Sequence, residues 1–290
     1  AFVDGASGRT VSHSGLADAV DRVASGLHRR GLRKGDVMAI FSPNLPEYPI
    51  AFHAVALLGG INTTVNALYN ADELAFQLRD SGAKYMLTVP GFMEKATRAA
   101  RDSAVEEVFV LGEADGATRF GELLAEEPDV PAVDIDPAVD LVALPYSSGT
   151  TGLPKGVMLT HRNMVANICQ TEHALHVRES DRVLGVLPFF HIYGMTLIMN
   201  MSIHAGATVV IMPRFELEEF LRVLQDHRVT RAYVAPPIML ALAKSPLVDR
   251  FDLSATTVLL CGAAPLDAGL AEACAARLGC KVIQGYGLTE

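Results

Sequence analysis

No stretch of this sequence is an uninterrupted apolar run long enough to span a bilayer, which removes any expectation of a transmembrane helix. No basic-then-apolar leader pattern opens it either, so the expectation is a cytoplasmic protein. Cysteine is scarce: Cys169, Cys261, Cys274 and Cys280 show no C-x-x-C spacing and no nearby histidine pair. That spacing argues against a zinc centre and for buried free thiols in a reducing compartment. Basic residues are in deficit too, with 24 Lys and Arg against 33 Asp and Glu and a net charge of −9. Bulk electrostatics therefore repel nucleic acid and anionic membranes, and an anionic substrate has to be met by local positive groups. Short repeats and low-complexity tracts are missing as well. What remains is a half-hydrophobic chain of 290 residues, enough for one large globular domain or two modest ones.

The most distinctive segment is Ser147-Ser148-Gly149-Thr150-Thr151-Gly152-Leu153-Pro154-Lys155-Gly156-Val157. Short side chains let backbone N–H groups reach phosphate oxygens, hydroxyls add donors, and Lys155 supplies a point charge. The chemistry implied is the handling of a nucleotide triphosphate. A Walker A loop is excluded, because it needs Gly, four residues and then Gly-Lys-Ser/Thr. Here Leu153-Pro154 precede Lys155, and Gly156-Val157 follow where a magnesium-binding hydroxyl would stand. A flexible linker shares the composition but rarely carries a lone Lys-Gly step between two apolar runs.

Short β-branched runs alternate with helix-period segments along the chain. Strands are expected at 37–42, 84–89 and 107–111, with helices at 46–58, 70–81 and 92–102. Asn70-Ala71-Asp72-Glu73 has the form of a capping box. The acidic, proline-bearing stretch 126–140 reads as a surface connection between two halves. Beyond it, strands are expected at 141–146, 182–187, 207–212, 231–235, 257–261 and 281–284. Helices are expected at 162–175, 195–204, 217–227, 237–244 and 267–278. Such alternation predicts an α/β protein of βαβ units with largely parallel sheets covered on both faces. One subdomain is expected over residues 1–139 and a second, carrying the phosphate loop, over 140–290.

Each notable motif falls at the C-terminal end of an expected strand, where open α/β sheets place their ligands. The phosphate loop follows 141–146. Leu187-Pro188-Phe189-Phe190-His191-Ile192-Tyr193-Gly194-Met195 follows 182–187, Cys261-Gly262-Ala263-Ala264-Pro265 follows 257–260, and Gln284-Gly285-Tyr286-Gly287-Leu288-Thr289-Glu290 follows 281–283. Four loops at equivalent strand ends are expected to share one cleft. In this order and spacing the motifs resemble the acyl-adenylate-forming superfamily of acyl-CoA synthetases, 4-coumarate–CoA ligases, beetle luciferases and peptide-synthetase adenylation domains. SSGTTGLPKGVMLTH at 147–161 resembles its signature loop, and QGYGLTE at 284–290 its second core motif. LPFFHIYGM at 187–195, with Ser42-Pro43-Asn44 and Gly60-Ile61-Asn62, is similar to the 4-coumarate–CoA ligase branch. The resemblance covers essentially all 290 residues.

The resemblance implies the large N-terminal domain of the adenylate-forming fold. It implies ATP-dependent activation of a carboxylic acid to an acyl-adenylate, then transfer to coenzyme A. Within that family pattern Ser147, Ser148, Gly149, Thr150, Thr151 and Gly152 cradle the β- and γ-phosphates, and Lys155 neutralises charge on the departing pyrophosphate. Thr289 meets the AMP phosphate, Glu290 binds Mg²⁺ and Tyr286 lies against adenine, with Gln284, Gly285 and Gly287 in the same nucleotide motif. Gly262, Ala263 and Ala264 let backbone approach the base and the acyl group. His191 and Tyr193 resemble acyl-pocket positions, His191 near the carboxylate. From composition alone His191 reads as a satisfied core histidine and Tyr193 as packing, so the motif carries both assignments. Phe189 and Phe190 are expected in the core.

Other polar groups carry no role at this level. Arg29-Arg30 and Arg33-Lys34 read as a solvated helix end, and 216–219 as a solvent-facing helix face. Asp226 and His227 are adjacent on a helix and point apart. The sequence ends on Gly-Leu-Thr-Glu, and the resemblance implies a barrel-like subdomain and a small C-terminal domain beyond it, so that these residues alone form little acyl-CoA. The motif forms favour a 4-coumarate-type aromatic acid. However, Leu260 and Cys261 stand where plant coumarate ligases commonly carry lysine and serine. Both departures are expected to make that edge of the site more apolar, which keeps a medium-chain fatty acid open. A luciferase-like oxygenase and a non-catalytic nucleotide-binding module are the alternatives from other classes.

Overall fold

Apolar runs of four to six residues pair side by side, nearly all in parallel, with amphipathic helices returning the chain between them. The structure, a computed structural model, describes residues 2–147 and 154–290. Ser148, Gly149, Thr150, Thr151 and Gly152 of the phosphate loop lie outside the described residues. In chain order the first elements are β1 (Phe2–Asp4), β2 (Thr10–Val11), α1 (His13–Arg29), β3 (Val37–Phe41), α2 (Glu47–Leu57) and β4 (Ile61–Thr64). Next come α3 (Ala71–Ser81), β5 (Ala83–Thr88), α4 (Met93–Arg101), β6 (Glu107–Val110), β7 (Thr118–Arg119) and α5 (Phe120–Leu124). Then follow β8 (Leu141–Ala143), β9 (Tyr146–Ser147), β10 (Lys155–Gly156), β11 (Leu159–Thr160), α6 (His161–Leu175) and β12 (Arg182–Gly185). The last are α7 (Met201–His204), β13 (Thr208–Ile211), α8 (Leu217–Asp226), β14 (Arg231–Val234), α9 (Pro236–Lys244), β15 (Val258–Cys261), α10 (Ala268–Leu278) and β16 (Lys281–Gln284).

The chain divides into two compact units. The N-proximal unit holds residues 14–43, 47–167 and 289–290. Its sheet runs β11-β8-β4-β3-β5-β6-β7, parallel except where β11 meets β8. The central strand β3 reads Val-Met-Ala-Ile-Phe without polar alternation and is buried throughout, as a strand covered on both faces must be. Val37, Ala39 and Phe41 pack with Leu74 and Leu78 of α3 and Ala96 of α4. The capping box expected at Asn70 is present: its side chain accepts from the N–H groups of Asp72 and Glu73, and the Glu73 carboxylate accepts from the Asn70 N–H. Gly82 closes α3 at φ 65°, a left-handed cap that glycine adopts without a Cβ penalty.

The C-proximal unit holds residues 1–13, 44–46 and 168–288. Its sheet runs β16-β15-β14-β12-β13-β1-β2, parallel except for the β1–β2 pair. Leu184, Val210, Ala232, Val234 and Leu259 form one core with Phe220 and Leu224 of α8, Met239 and Leu242 of α9 and Cys274 of α10.

Two sheets were expected, and the described residues form two seven-stranded sheets beside a two-stranded ribbon, but the membership differs. The division falls inside α6, between Asn167 and Ile168, rather than at residues 139 and 140. The reason is pairing: β8 joins β4 through Asn62 and Ala143, and β11 joins β8, so residues 141–167 complete the N-proximal sheet. The 126–140 connection therefore lies within one unit. The strand expected at 141–146 breaks at Leu144-Pro145, where proline offers no N–H to a ladder. Cys261 and Cys274 are buried free thiols, whereas Cys169 is exposed and Cys280 half-buried. Arg30 pairs with Glu107 and Glu122, and Lys34 with Asp140, so those basic residues are held rather than simply solvated. Glu216 caps α8, accepting from the N–H groups of Glu218 and Glu219. Among the described residues no helix is long and apolar enough to cross a membrane.

One buried ion pair fixes strand ends in the C-proximal unit. Asp181 accepts from the Arg178 N–H at 2.9 Å, Thr230 Oγ1 at 2.8 Å and Arg231 Nε at 2.7 Å. Arg231 also donates to the carbonyls of Leu175 and His176. Burial raises the Asp181 pKa, but these three donors outweigh it and hold the carboxyl below its ordinary 3.8. A lowered folded pKa adds stability above the unfolded value, and that stability is lost as pH falls through the folded one. Asp181→Asn should therefore cost about 3 kcal/mol at pH 7. The gap to the parent should close as pH falls below about 4, measured by denaturant titration across pH.

Candidate active-site loops

The described part of the phosphate loop is its stem. β9 and β10 form a two-stranded antiparallel ribbon that pairs Lys155 with Ser147 and Gly156 with Tyr146. The Val157 N–H continues it with a 2.8 Å bond to the Pro145 carbonyl. Opposed residues of an antiparallel pair project from the same face, so Ser147 and Lys155 share one face and Tyr146 and Gly156 the other. Lys155 is exposed, with its base fixed by the ribbon. Thr289 is half-buried and Glu290 exposed, and both group with this N-proximal unit. Among the described residues no three His, Cys, Asp or Glu side chains gather into a metal cage. A hard cation there fits the Mg²⁺ pattern of one carboxylate completed by phosphate oxygens, and the accessible Glu290 carboxylate suits it.

The other three motifs all leave the C-terminal end of the C-proximal sheet. Cys261 pairs with Gln284, and the ladder extends past the strands through Gly285 N–H to Cys261 O at 2.9 Å and Gly262 N–H to Val234 O at 3.1 Å. Tyr193 lies directly over Gly262: a Cβ there would stand 3.0 Å from its Cε1 and 3.3 Å from the Gly285 carbonyl. The Tyr193 hydroxyl donates to the Leu260 carbonyl at 3.1 Å. Gly262, Gly285 and Tyr193 are thus brought together. Ala263, Ala264, Gln284, Tyr286 and Gly287 are exposed on the same two loops. Ala263 holds φ +73°, a left-handed conformation costly for a residue with a Cβ. The four motifs therefore do not share one sheet: three leave the C-proximal sheet, and the phosphate loop follows β8 of the other.

His191 is exposed, and its Nδ1 accepts a 3.3 Å bond from the Tyr193 N–H. That acceptor role places the ring proton of the neutral form on Nε2. Atoms packed around the ring lower its pKa from 6.5, so the group is neutral at pH 7. A π-helical turn, Gly194–Asn200, follows. At Gly194 a Cβ would fall 2.2 Å from the Pro188 carbonyl oxygen, so the return of the chain past Pro188 admits only glycine. Phe189 is fully buried, whereas Phe190 is only half-buried.

Asn44 was noted in the sequence only as part of Ser42-Pro43-Asn44, with no role of its own. Its buried amide donates to Gly185 O at 3.0 Å and Leu187 O at 2.8 Å, while its oxygen accepts from the Phe189 N–H at 2.8 Å. It fixes the first half of the loop that presents His191. The available signal was the polar Ser42-Pro43-Asn44 step just past a wholly apolar strand. The expectation for Cys261 also needs correction. Adjacent strand residues face opposite ways. Cys261 joins the helix-side core, while the Leu260 Cδ2 lies 3.5 Å from the Cβ position of Gly285.

A family model described as AMP-binding enzyme matches residues 1–290. The sequence is 39% identical to 4-coumarate–CoA ligase 4 of Arabidopsis thaliana, over all of this chain and 53% of that protein. It is 42% identical to 4-coumarate–CoA ligase 5 of Oryza sativa subsp. japonica, over all of this chain and 54% of that protein. The chain spans about half the length of the curated relatives it matches. The inhibitor-bound N-terminal domain of FACL13 from Mycobacterium tuberculosis matches with a TM-score of 0.90 at 29% identity, covering 100% of this chain and 72% of that one.

Asn44→Ala removes the acceptor of the Phe189 N–H and the donor to the Leu187 carbonyl, while the Gly185 carbonyl keeps the Met212 N–H at 3.2 Å. An unpaired buried polar group costs about 1–3 kcal/mol, so a loss of about 3 kcal/mol is expected in denaturant titration. A change within experimental error would show that water replaces the amide.

Proposed function

We propose, on the premise that the chain belongs to the AMP-binding enzyme family, that the full-length protein activates a carboxylic acid with ATP and transfers the acyl group to coenzyme A. The observation that supports this most directly is the ribbon setting Lys155 opposite Ser147 at the base of the phosphate loop. A carboxylate is a poor electrophile, so one of its oxygens attacks the α-phosphorus and the bond to pyrophosphate breaks. Lys155 neutralises charge on that leaving group, with the loop hydroxyls and N–H groups on its oxygens. The thiol sulfur of coenzyme A then attacks the acyl carbon, the thiol proton is lost, and AMP departs. Glu290 would hold Mg²⁺, which when bound would add positive charge beside the triphosphate.

On the C-proximal unit, His191 presents a neutral Nε2–H, a donor that orients the acid carboxylate without adding charge. Thr289 holds the AMP phosphate and Tyr286 stacks on adenine, while the Gly262–Ala264 backbone lines the base and acyl group. The substrate we favour is a 4-coumarate-type aromatic acid. Its support is the 39% and 42% identity to relatives named for that acid, and the Tyr193 ring packed against Gly262.

A carboxylic-acid panel read by hydroxamate trapping tests both levels. Hydroxycinnamates should give the largest ATP-dependent signal in the full-length protein. Stronger turnover of medium-chain fatty acids overturns the substrate, and no acid-dependent signal overturns the ligase. Lys155→Ala should slow ATP–pyrophosphate exchange about 100-fold, the scale for removing one preorganised charge-stabilising donor. An unchanged exchange rate contradicts its role.

A further inference from the structure

The stem of the phosphate loop is held from the side by one face of α3. Gln77 and Asp80 are three residues apart on that helix and so lie on the same face. The buried Gln77 amide donates to Thr63 Oγ1 at 2.9 Å and to Thr64 O at 3.1 Å, and Thr63 Oγ1 donates to Leu144 O at 3.0 Å. One turn further, the Asp80 carboxylate accepts from the Tyr146 hydroxyl at 2.6 Å. α3 therefore grips the chain at 144 and again at 146, on both sides of Pro145, which has no N–H to contribute. The helix is a firm base, because a capping box fixes one end and left-handed Gly82 the other.

We infer that Tyr146 and Asp80 are positioning residues for Ser147 and Lys155, setting the stem so that the phosphate loop meets ATP correctly, a role that rests on the ATP-binding assignment above. The Tyr146 ring packs 3.3 Å from the Cβ position of Gly156, on the face of the ribbon opposite Lys155. It therefore acts through the backbone and does not reach the phosphates. Burial, and then the Asp80 carboxylate, push the Tyr146 phenol upward, so it remains a protonated donor. The bond is a charged one, shorter and stronger than a neutral pair. It also lies at the exposed side of the ribbon, where such contacts add little to global stability, so its worth is orientation.

The test uses the full-length protein. Tyr146→Phe keeps the ring on Gly156 and removes only the hydroxyl, and Asp80→Ala removes the acceptor. Each should raise the KM for ATP in pyrophosphate exchange, and the Kd for Mg·ATP by calorimetry, about tenfold. The KM for the acid and the thermal midpoint should stay at the parent values. The double variant should be no worse than either single, because the two side chains make one interaction. Asp80→Asn keeps an acceptor oxygen and should restore most of the affinity. The inference is overturned if the singles stay within about twofold of the parent for ATP. It is equally overturned if the acid KM or the thermal midpoint moves in step, which marks general loosening. A parent protein that neither binds ATP nor exchanges pyrophosphate overturns the ATP-binding assignment and this inference together. Exchange by the parent with insensitive variants overturns this inference alone.

Discussion

Backbone groups at buried strand ends have to be paired, and in this chain three buried side-chain amides pair them. Asn44, Asn62 and Gln77 are all nearly inaccessible. Asn62 donates to Phe52 O at 3.0 Å and Val142 O at 3.2 Å, joining β4 to α2 and β8. Asn44 closes the loop after β12, and Gln77 acts through Thr63 on the root of the phosphate-loop stem. Apolar burial supplies far more free energy in sum, but it is non-directional and does not choose among loop conformations. Hydrogen bonds do choose. Leaving a buried partner unmade costs about 1–3 kcal/mol, enough to exclude most alternative paths for a loop.

Charge is arranged with the same economy. The chain carries a net −9, yet its proposed ligand is a polyanion. Several cations are tied down by the protein itself: Arg30 by Glu107 and Glu122, Arg231 by Asp181, Arg277 by Asp249 and three carbonyls, Lys84 by Asp36. Among the described residues no carboxylate pairs with Lys155. Its backbone is fixed by the ribbon while its ammonium stays accessible, the combination that lets one lysine act on a ligand against an unfavourable overall charge.

The elements legible in the sequence were those with strong local signals. β3 is a continuous apolar run, β5 carries the apolar core Tyr85-Met86-Leu87, and α3 announces itself through Asn70 and Glu73. What escaped has a non-local cause. β1 has three residues and joins the sheet by pairing with β13, some two hundred positions later. β8 pairs in the N-proximal sheet because β4 is there, which no pattern within 141–146 reveals. α1 carries glycines at 15 and 26 that weaken its helical signal, yet a Cβ on Gly26 would stand 2.8 Å from Leu123 Cδ2. At the site, the motifs located the loops, but what Asn44 and Asp80 hold was illegible because their partners lie 141 and 66 residues away.

Strand geometry also separates two neighbouring residues that look equivalent in the sequence. Two neighbouring departures from the plant ligase pattern, Leu260 and Cys261, look from sequence like two changes to one pocket. A strand alternates its side chains, so at most one of them faces the loops. Cys261 packs with Val234, Leu259 and Cys274 beneath the helices, where a serine would need a hydrogen-bond partner and a thiol does not. Leu260 meets the loops instead. Its carbonyl takes the Tyr193 proton, and its side chain underlies Gly285. With its proton engaged, the Tyr193 oxygen keeps only lone pairs free for a further hydrogen bond, while the Leu260 side chain is buried.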